Sequence, residues 1–151
     1  MLTPVPPAPK KSEGQALGRS RGGFSSKIHI TVDALGNPLR FRLSPGQAHD
    51  INQARDLVEG FAFQRVIADR GYASQEFVDS LLERGIEVVI PPHPRAKEQR
   101  EYDRWLYRER HLVECFINKI KHFRRVFSRF EKLDTSYLGF LHLVGTLIWL
   151  R

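Results

Sequence analysis

The chain has one cysteine, Cys115, one methionine and two tryptophans in 151 residues. A single thiol excludes an intrachain disulfide framework, and a reducing cytosol is the natural setting for it. Long hydrophobic runs are also lacking. The strongest, Tyr137 to Leu150, is 14 residues long and includes His142, short of the ~20 apolar residues that span a bilayer. The first seven residues, MLTPVPP, hold no apolar stretch fit for a signal peptide. A membrane role is therefore not expected. Acidic residues are scarce as well, 17 against 24 Lys and Arg, for a net charge of +7.

The 41% hydrophobic content is enough for one globular core and leaves little room for a second. The positive excess is unevenly placed. From Pro91 to Lys132 there are 12 Lys and Arg against 6 Asp and Glu. A basic band on one part of a chain is the usual footprint of a polyanionic partner, most often nucleic acid, although it also serves as a solubilising surface.

The chain reads as an alternating order of elements. Residues 1–23, rich in Pro, Gly, Ser and Lys, have the composition of a disordered leader. Ser26 to Ala34 sets Ile28, Ile30 and Val32 against polar neighbours. Leu35-Gly36-Asn37-Pro38 then supplies a turn before a second alternating run, Leu39 to Leu43, so a hairpin is predicted. A helix follows from Asp50, read as its cap, to Glu59. Val66-Ile67-Ala68 reads as a buried strand ending at Asp69, Ser74 to Arg84 as a helix stopped by Gly85, and Glu87 to Ile90 as another strand stopped by Pro91. A proline-rich basic loop leads to two closing helices, the last capped by Asp134 or Thr135 and buried on most sides. This order implies an α/β fold, a mixed sheet with helices packed on it.

Tyr107, Arg110, Glu114 and Lys121 lie at offsets of three, four and seven in a predicted amphipathic helix, Tyr102 to Phe123. At about 100° per residue they share an arc of roughly 60°, while Leu112, Val113, Phe116, Ile120 and Phe123 fall on the opposite side. Cys115 falls on the flank, as a packing thiol. The polar front carries one carboxylate with two cations and a phenol. It suits metal-assisted phosphate chemistry, the carboxylate holding a hard cation while Arg and Lys hold phosphate oxygens. An ordinary solvated face with an intrahelical Arg110–Glu114 pair has the same spacing. Asp69 adds a second acid, just past the C-terminal end of a buried strand, where ligands of such sheets usually bind. A turn aspartate before Gly71 is the alternative.

The spacing Tyr107, Arg110, Glu114, Lys121 resembles the Y-R-E-K signature of bacterial insertion-sequence transposases of the DDE type, in the insertion-sequence-four and -five groups. Gly18-Arg19-Ser20-Arg21-Gly22-Gly23, Lys27-Ile28-His29, Asp33 to Pro38, Pro45-Gly46-Gln47-Ala48-His49-Asp50, Ile67 to Tyr72, Ile90-Pro91-Pro92 and the closing Leu147 to Arg151 are similar to that family in order and spacing. Together they cover about Ala8 to Arg151. The resemblance implies a ribonuclease H-like catalytic domain over 24–151. It implies catalytic, metal-binding roles for Asp69 and Glu114 toward two Mg²⁺ ions. It further implies that Tyr107, Arg110 and Lys121 contact double-stranded DNA at transposon ends and target. Arg124 and Arg125, in the basic band beside them, are expected from their charge to add phosphate contacts. His29 and His49 lie in resembling stretches without an assigned role.

One departure goes with the resemblance. The family's first catalytic aspartate lies on the first strand of the fold, and this chain has no acidic residue before Glu13. That strand and its Asp are expected to be missing, with MLTPVPP as an unrelated lead-in. A second-frame product of a frameshifting element and a decayed remnant both fit, and either is expected to be weak or inactive alone. Two other functions fit the same residues: a DNA-binding regulator without chemistry, which could pair with full-length transposase subunits, and a ribonuclease H-like nuclease.

Overall fold

The computed structural model describes residues 16–20, 23–97, 99–129, 131 and 133–150. Most of the expected leader, 1–15 and 21–22, lies outside the described residues. Its remaining part is ordered into the fold: Gly18–Ser20 (β1) pairs antiparallel with the start of Gly23–Val32 (β2). Ala16 is buried. Its N–H donates to Asp134 and its carbonyl accepts from the Ser26 hydroxyl.

The predicted hairpin is present. β2 pairs antiparallel with Pro38–Pro45 (β3), Ile28 opposite Leu43 and Ile30 opposite Phe41. Asp33 builds the turn. Its Oδ1 accepts from the N–H groups of Leu35 and Asn37, and Gly36 supplies the left-handed residue with φ 83°.

The hairpin has two working faces. Ile28, Ile30, Val32, Phe41 and Leu43 pack with Phe116 and Ile120 of His111–Lys121 (α3) and with Tyr137, Leu141 and Val144 of Asp134–Trp149 (α5). Lys27, His29, Thr31 and Arg40 point to the other side, where a solvated face would be the simplest reading of the alternation. They instead bond the segment 48–72: Lys27 to Asp50, His29 to Tyr72, Thr31 to the Leu57 carbonyl, and Arg40 to the Asp56 and Glu59 carbonyls.

That segment begins with a 3₁₀ turn, Asp50–Gln53, and Ala54–Val58 (α1). Asp50 does not act as the expected cap. His49 holds the cap position, and the Asp50 carboxylate is drawn away to Lys27 Nζ at 2.7 Å. Arg65–Ile67 (β4), Gln75–Leu82 (α2) and Glu87–Val89 (β5) follow, with β4 and β5 parallel. The Ser74 hydroxyl accepts from Phe77 N–H to start α2, and Gly85, at φ 71°, ends it. Phe77, Val78, Leu81, Ile86, Val88 and Ile90 form a core of their own.

The architecture is therefore mixed α/β, as expected, but one continuous sheet is not found among the described residues. The strands form a three-stranded antiparallel sheet and a two-stranded parallel one. The physical reason is that side chains of β2 and β3, rather than a backbone ladder, join the hairpin to the β4–α2–β5 unit. Two helix expectations also change. The Tyr102–Phe123 helix starts later, as a 3₁₀ turn, Leu106–Arg110, continuing into α3 and followed by Arg124–Phe127 (α4). Leu133, not Asp134 or Thr135, caps α5, because Asp134 is engaged by Arg129 and Ala16. α5 is also far less covered than expected: Phe140, Leu143, Leu147, Trp149 and Leu150 are exposed. His142 meets the edge of the Phe41 ring at 5.2 Å, and Thr146 donates to the His142 carbonyl. No helix of the described residues is long and apolar enough to cross a membrane.

Candidate functional site

Asp69 lies two residues beyond the end of β4, and its Oδ1 accepts from Arg70 N–H at the start of the 3₁₀ turn Arg70–Tyr72. The alternative of a turn aspartate is thus satisfied by one oxygen. The other, Oδ2, faces Arg110, 4.0 Å from Nη1. Arg110 gets there because the turn Leu106–Arg110 packs against β4.

From the same guanidinium, Nη2 donates to Glu114 Oε1 at 2.5 Å. The i,i+4 pair and the site are therefore compatible readings of one arrangement, in which Arg110 stands between carboxylates from two distant elements. Burial disfavours the Arg110 cation, but Glu114 first, then Tyr107 and Asp69, outweigh it and hold the group charged. Tyr107 lies under Arg110 at 5.9 Å and edge-on to Tyr102. Burial, then the nearby Asp69 carboxylate, raises its phenol above the ordinary range.

Tyr107, Arg110, Glu114 and Asp69 thus come together. Lys121 does not join them. It is exposed, its ammonium donates to Asn118 at 3.0 Å, and it lies about 10 Å along the helix axis from Glu114. Arg124 and Arg125 are exposed on α4, beyond the end of α3. On the other side of Asp69, Arg70, Arg100 and Arg104 line a groove with Pro91, Pro92 and Tyr102. Trp105 is exposed and carries Arg108 over its ring at 4.1 Å. Cys115, expected to pack, is exposed.

Behind Asp69 lies a network that the sequence did not announce. His29 is 4% exposed, with Nδ1 2.7 Å from the Tyr72 hydroxyl and Nε2 2.7 Å from the Ser44 hydroxyl. Burial holds the imidazole below its usual pKa, and Lys27 adds to that against the opposing pull of Asp50. Burial also raises the Tyr72 phenol, as do Asp50 and Asp69. Asp50 closes the set. A Cβ built on Gly71 would lie 2.8 Å from Asp50 Oδ2, so a side chain there would displace the carboxylate. The available signal was the position of His29 on the polar face of the hairpin, which a solvated strand does not need.

Two acids and a guanidinium thus meet beside the end of a parallel strand pair in a mixed α/β protein. The sequence profile of the transposase DDE domain matches residues 2–149, and the chain belongs to that family. It is 39% identical over 132 residues to a Brucella ovis protein named as a transposase for insertion sequence element IS6501, covering 85% of this chain and all of that one. It is 37% identical over 142 residues to a Burkholderia cepacia protein named as a transposase for insertion sequence element IS402, covering 86% of this chain and 64% of that relative. No solved structure matches.

Proposed function

We propose that this chain is the DNA-handling and part-catalytic portion of an insertion-sequence transposase, acting on transposon ends at the nucleoid, with residues 24–151 as a partial ribonuclease H-like domain. The observation that carries the reading is the single guanidinium of Arg110 between Asp69, at 4.0 Å, and Glu114, at 2.5 Å. Both acids are largely exposed, and an exposed i,i+4 pair is worth only about 0.5 kcal/mol. A divalent cation or a DNA phosphate can therefore replace either partner.

Asp69 and Glu114 fit Mg²⁺ by donor chemistry, offering the oxygens that a hard cation takes. They are the residues that would hold it. When bound, the ion supplies Lewis-acid activation of a phosphodiester and of the attacking hydroxyl. The protein's own part is electrostatic. Arg110, released from Glu114, is placed to bind a non-bridging phosphate oxygen, and Tyr107 packs beside it. Lys121, Arg124 and Arg125 continue the cationic track along the duplex backbone.

Among the described residues no group of three His, Cys, Asp or Glu could hold a metal, and β4 pairs with no strand but β5. A catalytic set completed by a third carboxylate would draw it from a further strand beside the free edge of β4, the first strand of the ribonuclease H-like sheet. The absence of a three-acid group among these residues also favours a second reading. The chain alone would be a DNA-binding regulator that pairs with full-length transposase subunits and performs no cleavage.

Mg²⁺-dependent nicking of supercoiled DNA decides between them. A chain extended upstream through the further strand should nick, and Glu114→Ala or Asp69→Ala should abolish it, while the 151-residue chain should bind without cutting. Full nicking by the extended chain with both acids removed would overturn the catalytic assignment. An extended chain that binds DNA and never nicks would establish the regulator.

A further inference from the structure

Several arginines of this chain carry a carboxylate partner: Arg55 with Glu76, Arg65 with Glu87, Arg110 with Glu114 and Arg129 with Asp134. The groove beside Asp69 departs from that pattern. Arg70, Arg100 and Arg104 line it together with one carboxylate, Glu101. Among the described residues, none of these arginines has a carboxylate within 4.0 Å. Arg100 is fixed in place, its Nη2 donating to the Ile90 carbonyl at 3.0 Å, while its buried Nε–H meets no acceptor among the described residues. Guanidinium groups that face one space repel one another unless an anion lies between them.

The shape and the walls of the groove argue for which anion enters. Its volume, about 630 Å³, encloses a small ligand or a few units of a chain, not a duplex. Its walls are not cationic alone. Tyr102, Pro91 and Pro92 give it apolar ring faces, so it suits a ligand that alternates anionic and flat apolar groups. A single nucleic-acid strand does so, its phosphates meeting cations while its unpaired bases stack on rings. In a duplex those base faces are covered by neighbouring bases. The groove also adjoins the site already described. Arg70 follows Asp69 directly, and Tyr102 meets the Tyr107 ring edge-on at 5.6 Å, with Tyr107 under Arg110. Along the chain, Arg100 and Arg104 precede Arg110, whereas Lys121, Arg124 and Arg125 follow it on α3 and α4. The cations thus fall into two groups, one on each side of the residue that stands between the acids.

We infer that this groove holds an unpaired DNA strand leaving the site, with its phosphates on Arg70, Arg100 and Arg104 and a base against Tyr102, while duplex DNA lies on α3 and α4. The inference deepens the transposase reading and rests on it for the place of the cut. Binding of the strand rests on the groove itself. An acidic peptide has the charge to enter, but it offers no flat bases to Tyr102 and the proline rings.

Fluorescence anisotropy of the full chain in EDTA, where no strand is cut, tests it by comparing a blunt duplex with the same duplex carrying about five unpaired thymidines on a 3′ or 5′ end. The tail should raise affinity at least ~10-fold and steepen the slope of log K against log[salt] by about 2, from roughly 0.7 for each phosphate held by an arginine. Arg70→Gln with Arg104→Gln, both exposed positions, should remove most of that gain and leave blunt-duplex affinity and far-UV circular dichroism unchanged. Arg70→Lys with Arg104→Lys should restore most of it. A tail that adds neither affinity nor slope overturns the proposal, and this comparison needs no substitution and so survives a variant that misfolds. A double Gln variant that weakens blunt and tailed duplexes alike overturns it too. Free oligothymidine should compete away the gain and poly-glutamate of equal charge should not; equal competition would make the groove a site for acidic protein and overturn the strand. A gain that persists where the extended chain never nicks would sustain the groove and sink the catalytic reading, whereas nicking without the gain would do the reverse.

Discussion

Asp69 and Glu114, far apart in the chain, share one counter-ion. Each carboxylate faces a different nitrogen of the Arg110 guanidinium, so the guanidinium occupies the gap between the two acids proposed above to hold a divalent ion. Arg110 and a divalent cation should therefore compete. Thermal denaturation in increasing MgCl₂ should show a rise in Tm for the wild-type chain. Arg110→Ala should bring that rise to lower Mg²⁺, and Glu114→Gln or Asp69→Asn should remove it, since binding to the folded state alone raises stability in proportion to ln(1 + [L]/Kd). An identical Mg²⁺ response in all four proteins would show that the cation binds elsewhere.

DNA affinity should depend on salt through the cations of α3 and α4. Each phosphate neutralised contributes about 0.9 to the slope of log K against log[salt]. Replacing Lys121, Arg124 and Arg125 by Gln should lower that slope by about 2 to 3 and weaken binding to unrelated duplexes equally. Fluorescence anisotropy across a salt series measures both. An unchanged slope would place the DNA on another face.

The Ser44–His29–Tyr72 network should make stability fall with acid. The imidazole is held below its ordinary value of 6.5 by burial. As pH drops under that value, the unfolded chain takes up the proton before the folded chain does. Stability from this group is thus complete above about 6.5 and is lost as pH falls toward the folded-state pKa. Chemical denaturation at pH 7.5 and 5.5, comparing wild type with His29→Gln, isolates the effect from the other histidines. A loss as large in the variant as in the wild type would assign the acid limb to another group.

Arg129 ties the two ends of the described chain together. It adopts φ 47°, pairs with Asp134 in a largely buried setting and lies over the Tyr137 ring at 4.9 Å. Arg129→Ala leaves the Asp134 carboxylate without its cation and should cost about 3 kcal/mol or more, as removal of one member of a buried pair usually does. The urea midpoint reads this directly. A loss below about 1 kcal/mol would mean that water replaces the guanidinium.

The sequence made the elements legible where local chemistry decides them. The alternation of Ile28, Ile30 and Val32, the Asp33–Gly36 turn, Ser74 before α2 and Gly85 after it each act within a few residues. Phe116 and Ile120 were readable as the buried side of α3 from spacing alone. Relationships between elements were not. Nothing local says that Asp50 reaches Lys27 instead of capping its own turn, or that the polar side of the hairpin faces protein. The apolar content of α5 suggested burial on most sides, yet composition cannot say whether a second surface is present to cover it. For the site, spacing aligned Tyr107, Arg110 and Glu114, while the approach of Asp69 required the turn 106–110 to pack on β4.

The two hydrophobic cores carry a mechanical consequence. Asp69 extends from the core of Phe77, Leu81 and Ile90, while Arg110 and Glu114 lead into the helix anchored in the core of Phe116, Ile120 and Tyr137. The carboxylates therefore extend from separately packed cores, joined by the bonds of Lys27, His29 and Thr31 to the segment 48–72. Because the two acids belong to different cores, the contacts that span those cores, and not either interior, fix the distance between them.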